Sequence, residues 1–128
     1  MARVLLSLIL LPAIASQYGP GVMQSVIATR QAGLTAMSLP YVLPEAAGCV
    51  ATRDCGDIGK IVRLRRVGGP WIDLLVCDCS GDAETTAWMN RNGIYGEVDY
   101  ETAVMWDTVG HGMAIEVLIG QRTGYAFR

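Results

Sequence analysis

The chain has little histidine, little net charge and no apolar run long enough to cross a bilayer. A single histidine argues against a zinc site built on imidazole. Ten Lys and Arg stand against twelve Asp and Glu, a formal net charge of −2. So weak an acidity gives no footprint for nucleic acid or an anionic membrane. The one apolar stretch, near the N-terminus, falls well short of the about 20 residues that span a bilayer. Internal repeats and domain linkers are also missing, so 128 residues are read as one domain.

The residues that are present point to a packed, turn-rich fold. Hydrophobic residues make up 52% of the chain, more than a disordered sequence carries. Fifteen glycines and five prolines imply many tight turns. Arg3 followed by the largely apolar stretch 4–12 and then Ala13-Ile14-Ala15 has the layout of a secretory signal with its cut after Ala15. On this reading residues 1–15 lie outside the fold, and the domain is 16–128. Ala46-Ala47-Gly48-Cys49 resembles a lipoprotein cleavage box, but it stands too far from the apolar stretch to serve as one. No stable membrane anchor is therefore expected.

Four cysteines in an exported chain point to disulfides. Cys77 and Cys79 are i and i+2 on an apparent strand, with Cα atoms about 6.6 Å apart. That is near the upper limit for a direct bond. Each is therefore expected to pair with one of Cys49 and Cys55, the choice remaining open. Cys-x5-Cys and Cys-x-Cys do not match the usual zinc-ligand spacing, and no metal or other cofactor is expected.

The mature start at Gln17–Met23 reads as a turn, and Gln24–Thr29 as a first strand. Residues 31–47, with Pro40 and Pro44, have no clear period and read as a long loop. Cys49–Arg53 is a short strand and Asp54–Gly59 a turn cluster. Lys60–Val67 sets Val62 and Leu64 on one parity, opposite Arg63 and Arg65. Gly68-Gly69-Pro70 turns the chain into Trp71–Cys79, the strongest strand pattern. Ser80–Gly93 is polar and irregular. Ile94–Asp99 and Met113–Ile119 complete the strands. Tyr100–Trp106 is the one good helix, with Asp99 at its N-cap and Glu101 in its first turn. Short strands with one small helix imply a small β-barrel, which closes its own edges.

Several segments carry a resemblance. Tyr18-Gly19-Pro20-Gly21, Ile58–Leu64, Leu75-Val76-Cys77-Asp78, Glu97-Val98-Asp99 and Met113–Leu118 resemble, in order and spacing, the double-psi β-barrel family of rare lipoprotein A-like proteins, barwin and expansin N-terminal domains. The resemblance covers about Tyr18 to Leu118. It implies a six-stranded double-psi barrel, a cell-wall glycan such as peptidoglycan as partner, and Asp78 at the family's acid position. Where members that cleave peptidoglycan carry a histidine, Arg53 stands here. Where the family continues with arginine-glycine-proline, this chain has Cys79-Ser80-Gly81.

Asp78 shares strand parity with Ile72, Leu74 and Val76, and an apolar wall disfavours the charged form of a carboxyl. That environment suits a general acid. The resemblance implies a lytic transglycosylase reaction, in which one carboxylate serves as acid and base. The bland alternative is an aspartate accepting backbone N–H bonds in a turn. Asp99 is first a helix cap and second a catalytic or groove residue, on a parity that reads as exposed. Tyr18, Arg53, Trp88 and Tyr100 are the substrate-binding candidates, Trp71 and Trp106 are assigned to the core, and His111 is read as a solvated loop residue. Three functions stay open: glycan-strand cleavage, an expansin-like glycan binder without catalysis, and a barwin-like protein-binding module using 31–47.

Overall fold

The computed structural model describes residues 6–33 and 46–122, with side chains described for 10–33 and 46–119. It is mainly β, as expected. Six strands, β1 (Leu6–Gln17), β2 (Gly48–Thr52), β3 (Ile61–Arg66), β4 (Ile72–Cys79), β5 (Ile94–Val98) and β6 (Met113–Arg122), close into a barrel in the order β1-β5-β2-β4-β3-β6. The β1/β5 and β2/β4 pairs are parallel and the other four antiparallel. Three helices among the described residues, α1 (Val22–Gln31), α2 (Ala83–Arg91) and α3 (Tyr100–Met105), replace the single expected one.

Alternation divides β4 between two apolar layers. Leu74 and Val76 point into the barrel with Val50, Leu64, Val98, Ile115 and Val117. Leu75 and Cys77 point outward into a second layer with Cys49 and Met23. The β2/β4 register then slips: Val50 faces Val76, but Ala51 faces Asp78. Cys77 is the surplus residue of a β-bulge, which turns the residues after it to the opposite face. The β1/β5 pair slips in the same way, Ile14 facing Ile94 and Ala15 facing Gly96.

Two expected elements are corrected. The expected strand over Gln24–Thr29 lies within α1. Met23, Ile27 and Arg30, at helical spacing, face the barrel: Met23 and Arg30 are buried and Ile27 packs on the outer layer. Short helices with so few apolar anchors leave a faint pattern. The irregular 80–93 segment contains α2, started by Asp82, whose carboxylate accepts from the Thr85 amide at 2.7 Å. It buries only Met89, so it too lacks an apolar stripe. Of the expected 31–47 loop, 34–45 lie outside the described residues.

The N-terminal segment also differs from expectation. Leu6–Gln17 is a barrel strand, paired along β6 from Leu6↔Arg122 to Ala15↔Met113. Leu11, Ala13 and Ala15 pack on the inner core, while Leu10 and Ile14 face outward. Because both faces are apolar, the sequence shows no alternation to mark a strand. Cleavage after Ala15 would remove all of β1 but Ser16 and Gln17.

Two mutations probe this closure. A chain lacking residues 1–15 is expected to lose its cooperative thermal transition, because β5 and β6 lose their shared neighbour; circular dichroism melting checks this. Gly96→Ala would set a Cβ 2.4 Å from the Ala51 carbonyl oxygen. A loss of roughly 2–4 kcal/mol is expected by urea denaturation.

Candidate functional site

The β4 bulge puts Asp78 on the outer face, not on the apolar inner parity that the sequence suggests. Tyr18, at the end of β1, donates its hydroxyl to Asp78 Oδ2 at 2.6 Å. Arg30, from the last turn of α1, donates to Asp78 Oδ1. Both side chains of the ion pair are largely shielded, with 10% and 14% of their surfaces exposed. Both carboxylate oxygens therefore act as acceptors. Removing Arg30 would take the opposite charge away from a poorly solvated carboxylate, at about 3–5 kcal/mol.

The register extends this site across the sheet. Ser16 faces Glu97, Glu97 faces Ala51, and Ala51 faces Asp78. The four residues form one row on the outer face, since Val98 and Val50, beside them in sequence, point inward. Burial raises the Glu97 pKa, and the Asp78 charge adds to the rise; the neighbouring Ser16 hydroxyl opposes it. The Ser16 oxygen nevertheless makes no well-formed hydrogen bond. Tyr18 is pushed strongly upward, first by burial and then by its bond to Asp78, so the phenol stays protonated.

Two clefts adjoin the row. One, of about 430 Å³, is walled by Ser16, Gln17 and Tyr18 on one side and by Tyr100 and the turn Val109–Gly112 on the other. Gln17 Nε2 ties that turn to β1 by donating to the carbonyls of Thr108 and His111 at 3.1 and 3.0 Å. The second, of about 320 Å³, lies along α1 between Val22, Val26, Arg30 and Asp78. Tyr18 lines the first cleft and bonds to Asp78, which lines the second.

The structure sorts the residues singled out from the sequence. Tyr18 and Tyr100 share the larger cleft, and His111 is an exposed residue of its rim. Arg53 turns away from Asp78 and donates to Asn90 Oδ1 on α2. Arg30 is the arginine that meets Asp78, and its signal in the sequence was the 23/27/30 spacing. Trp88 is 46% exposed on α2 and lines neither cleft. Trp106 is in the core, whereas Trp71 is half-buried, with the Arg65 guanidinium 4.4 Å over its ring.

Asp99 is corrected from an exposed parity to a buried cap. Only 8% of it is exposed, and its carboxylate accepts from the Thr102 amide at 3.3 Å. Gly48 makes room for it, since a Cβ there would lie 2.9 Å from Asp99 Oδ2. The cysteines pair as Cys49–Cys77 and Cys55–Cys79, which settles the choice left open. Among the described residues, no group of three or more His, Cys, Asp or Glu is placed to hold a metal ion, and no helix is long and apolar enough to cross a membrane.

No family model matches the chain, and neither a curated protein nor a solved structure matches it.

Asp99 supplies a test of cap against chemistry. Burial raises its pKa against the opposing Thr102 and Cys49 backbone bonds. A carboxyl whose folded pKa is raised favours the fold most at low pH. That contribution is lost as pH rises from the unfolded value through the folded one. Asp99→Asn keeps a good cap and removes this dependence, so it is expected to be neutral or stabilising at pH 7. Asp99→Ala is expected to lose about 1 kcal/mol. Urea titrations at pH 4 and pH 7 check both.

Proposed function

We propose that this chain is an exported protein that works on cell-wall glycan, cleaving the strand by a lytic transglycosylase-type reaction centred on Asp78. One observation carries the reading: a carboxylate shielded from bulk water, with both oxygens held by Tyr18 and Arg30, that lines one surface cleft while its partner Tyr18 lines another. Tyr18 and Tyr100 offer the larger cleft two aromatic side chains suited to sugar rings. The likeness to rare lipoprotein A-like barrels supplies the glycan and the position of the acid. Two disulfides fit an oxidising compartment and support export.

The second reading is a glycan binder without catalysis. It is favoured by the Arg30–Asp78 ion pair, which gives the carboxylate a structural reason to exist. The absence of Arg53 from the site removes the only residue standing at the family's histidine position. A protein-binding module would rest on 31–47, most of which lies outside the described residues.

Peptidoglycan digestion followed by mass spectrometry separates these readings. Wild-type protein is expected to release fragments with anhydro-sugar ends, and Asp78→Asn to lower their yield at least 100-fold, within the range of a lost acid–base group. Retained pull-down on the glycan with no fragments from wild type would leave the binder alone.

A further inference from the structure

We propose that one open end of the barrel is a second binding site, for a small uncharged alcohol or phenol with an apolar body and one hydroxyl. A third cleft, of about 300 Å³, lies there. It shares no lining residue with the two clefts beside Tyr18 and Asp78, so this inference stands apart from the cleavage reading. Concave, mostly apolar sites, of which this is a small one, are a recurrent feature of β-barrel mouths.

Strand parity builds the apolar part. Val117 belongs to the inner core, and Val62 packs against it. Ile119 follows Val117 on the same parity, yet it is 37% exposed where Val117 is 2% exposed. The inner face of β6 thus passes from sealed to open within two residues, and apolar surface is left uncovered at this end. Ile61 and Leu118, of the opposite parity, extend the apolar lining.

The polar groups are few and placed. The β1/β5 slip leaves Tyr95 as the surplus residue between the pairs Ile14↔Ile94 and Ala15↔Gly96. Bulges re-aim side chains at barrel rims in this way. Tyr95 packs against the inner core, is half-buried and lines the cleft. Its hydroxyl makes no hydrogen bond among the described residues. Burial first, and then the Asp57 charge, push its pKa up to about 12 against the opposing Arg53. The group is therefore a neutral hydroxyl, able to give one hydrogen bond and to accept another. Asp57 and Lys60 complete the lining and pair with each other at 3.2 Å. Their charges offset one another, so an ion entering the cleft meets no uncompensated partner, whereas a neutral ligand gives up no charge hydration. A hydroxyl on an apolar ring or chain matches all three features.

Amide chemical-shift titration of the full chain tests the site with p-cresol and toluene, which share an apolar ring and differ in the hydroxyl. Saturable p-cresol shifts are expected at residues 61–62, 95 and 117–119. Tyr95→Phe is expected to weaken p-cresol about 3–10-fold, the range of one net hydrogen bond, and toluene by less than about twofold. Val62→Phe fills the cleft from its floor and Ile119→Phe from its exposed side, and each is expected to abolish binding of both probes. Thermal melts matching wild type establish which variants are folded, and the exposed Ile119 serves if the more enclosed Val62 does not tolerate the ring. Asp78→Asn is expected to bind p-cresol as wild type does. The proposal is overturned if p-cresol does not saturate in the low millimolar range, or if its shifts centre on either cleft beside Asp78. It is equally overturned if Tyr95→Phe leaves p-cresol unchanged or weakens both probes alike, or if a folded, filled variant still binds.

Discussion

Asp78 reaches Tyr18 and Arg30 because one residue of β4 is surplus to its pairing with β2. Without the slip at Cys77, alternation would carry the Asp78 carboxylate into a barrel interior filled by Val50, Leu74, Val76 and Val98. A charge there would have no partner. With the slip, two successive residues serve the outer face. Cys77 anchors to Cys49, and Asp78 meets α1 and the end of β1. The slip in β5 does the same for Glu97, and Gly96 allows the close approach of β2 that this requires.

The outer layer holds this geometry in place. Met23 and Ile27 of α1 pack over Cys49, Leu75 and Cys77, so the helix that delivers Arg30 is seated on the bulge itself. The two disulfides close overlapping segments of 28 and 24 residues. The chain-entropy model assigns such loops about 3–4 kcal/mol each when taken singly. Both bonds tie β4, the strand carrying Asp78, to β2 or to the turn just after it. Stability and the placement of the carboxylate therefore depend on the same few residues.

Much of this was legible in the sequence. Strands at Trp71–Cys79, Lys60–Val67, Ile94–Asp99 and Met113–Ile119 announced themselves through apolar runs and flanking turns, and the Asp99 cap through its place before Tyr100-Glu101. A small β-barrel followed from them, whereas the number of strands came with the family resemblance, and Leu6–Gln17 takes the place of the strand expected at Gln24–Thr29. A bulge, however, has no mark in composition, so the parity that placed Asp78 inside was a fair reading of a regular strand and wrong for a slipped one. Arg30 and Glu97 were missed for related reasons. The helix bearing Arg30 offers only Met23 and Ile27 as apolar anchors. Glu97 becomes a neighbour of Asp78 only through two pairing registers that a sequence cannot state. The first strand has two apolar faces, so no alternation marks it in the sequence.

The larger cleft is built from materials of unequal stiffness. One wall, Ser16 to Tyr18, belongs to or directly succeeds a barrel strand and is held by its ladder. The opposite wall is a turn that leads into β6 and is tied across to β1 by the Gln17 amide, whose Nε2 is shared between two carbonyls. Under load, a turn tied by a side chain yields before a wall woven into a sheet. The width of the cleft is thus the adjustable quantity and its floor the fixed one, and the residue that couples them is Gln17.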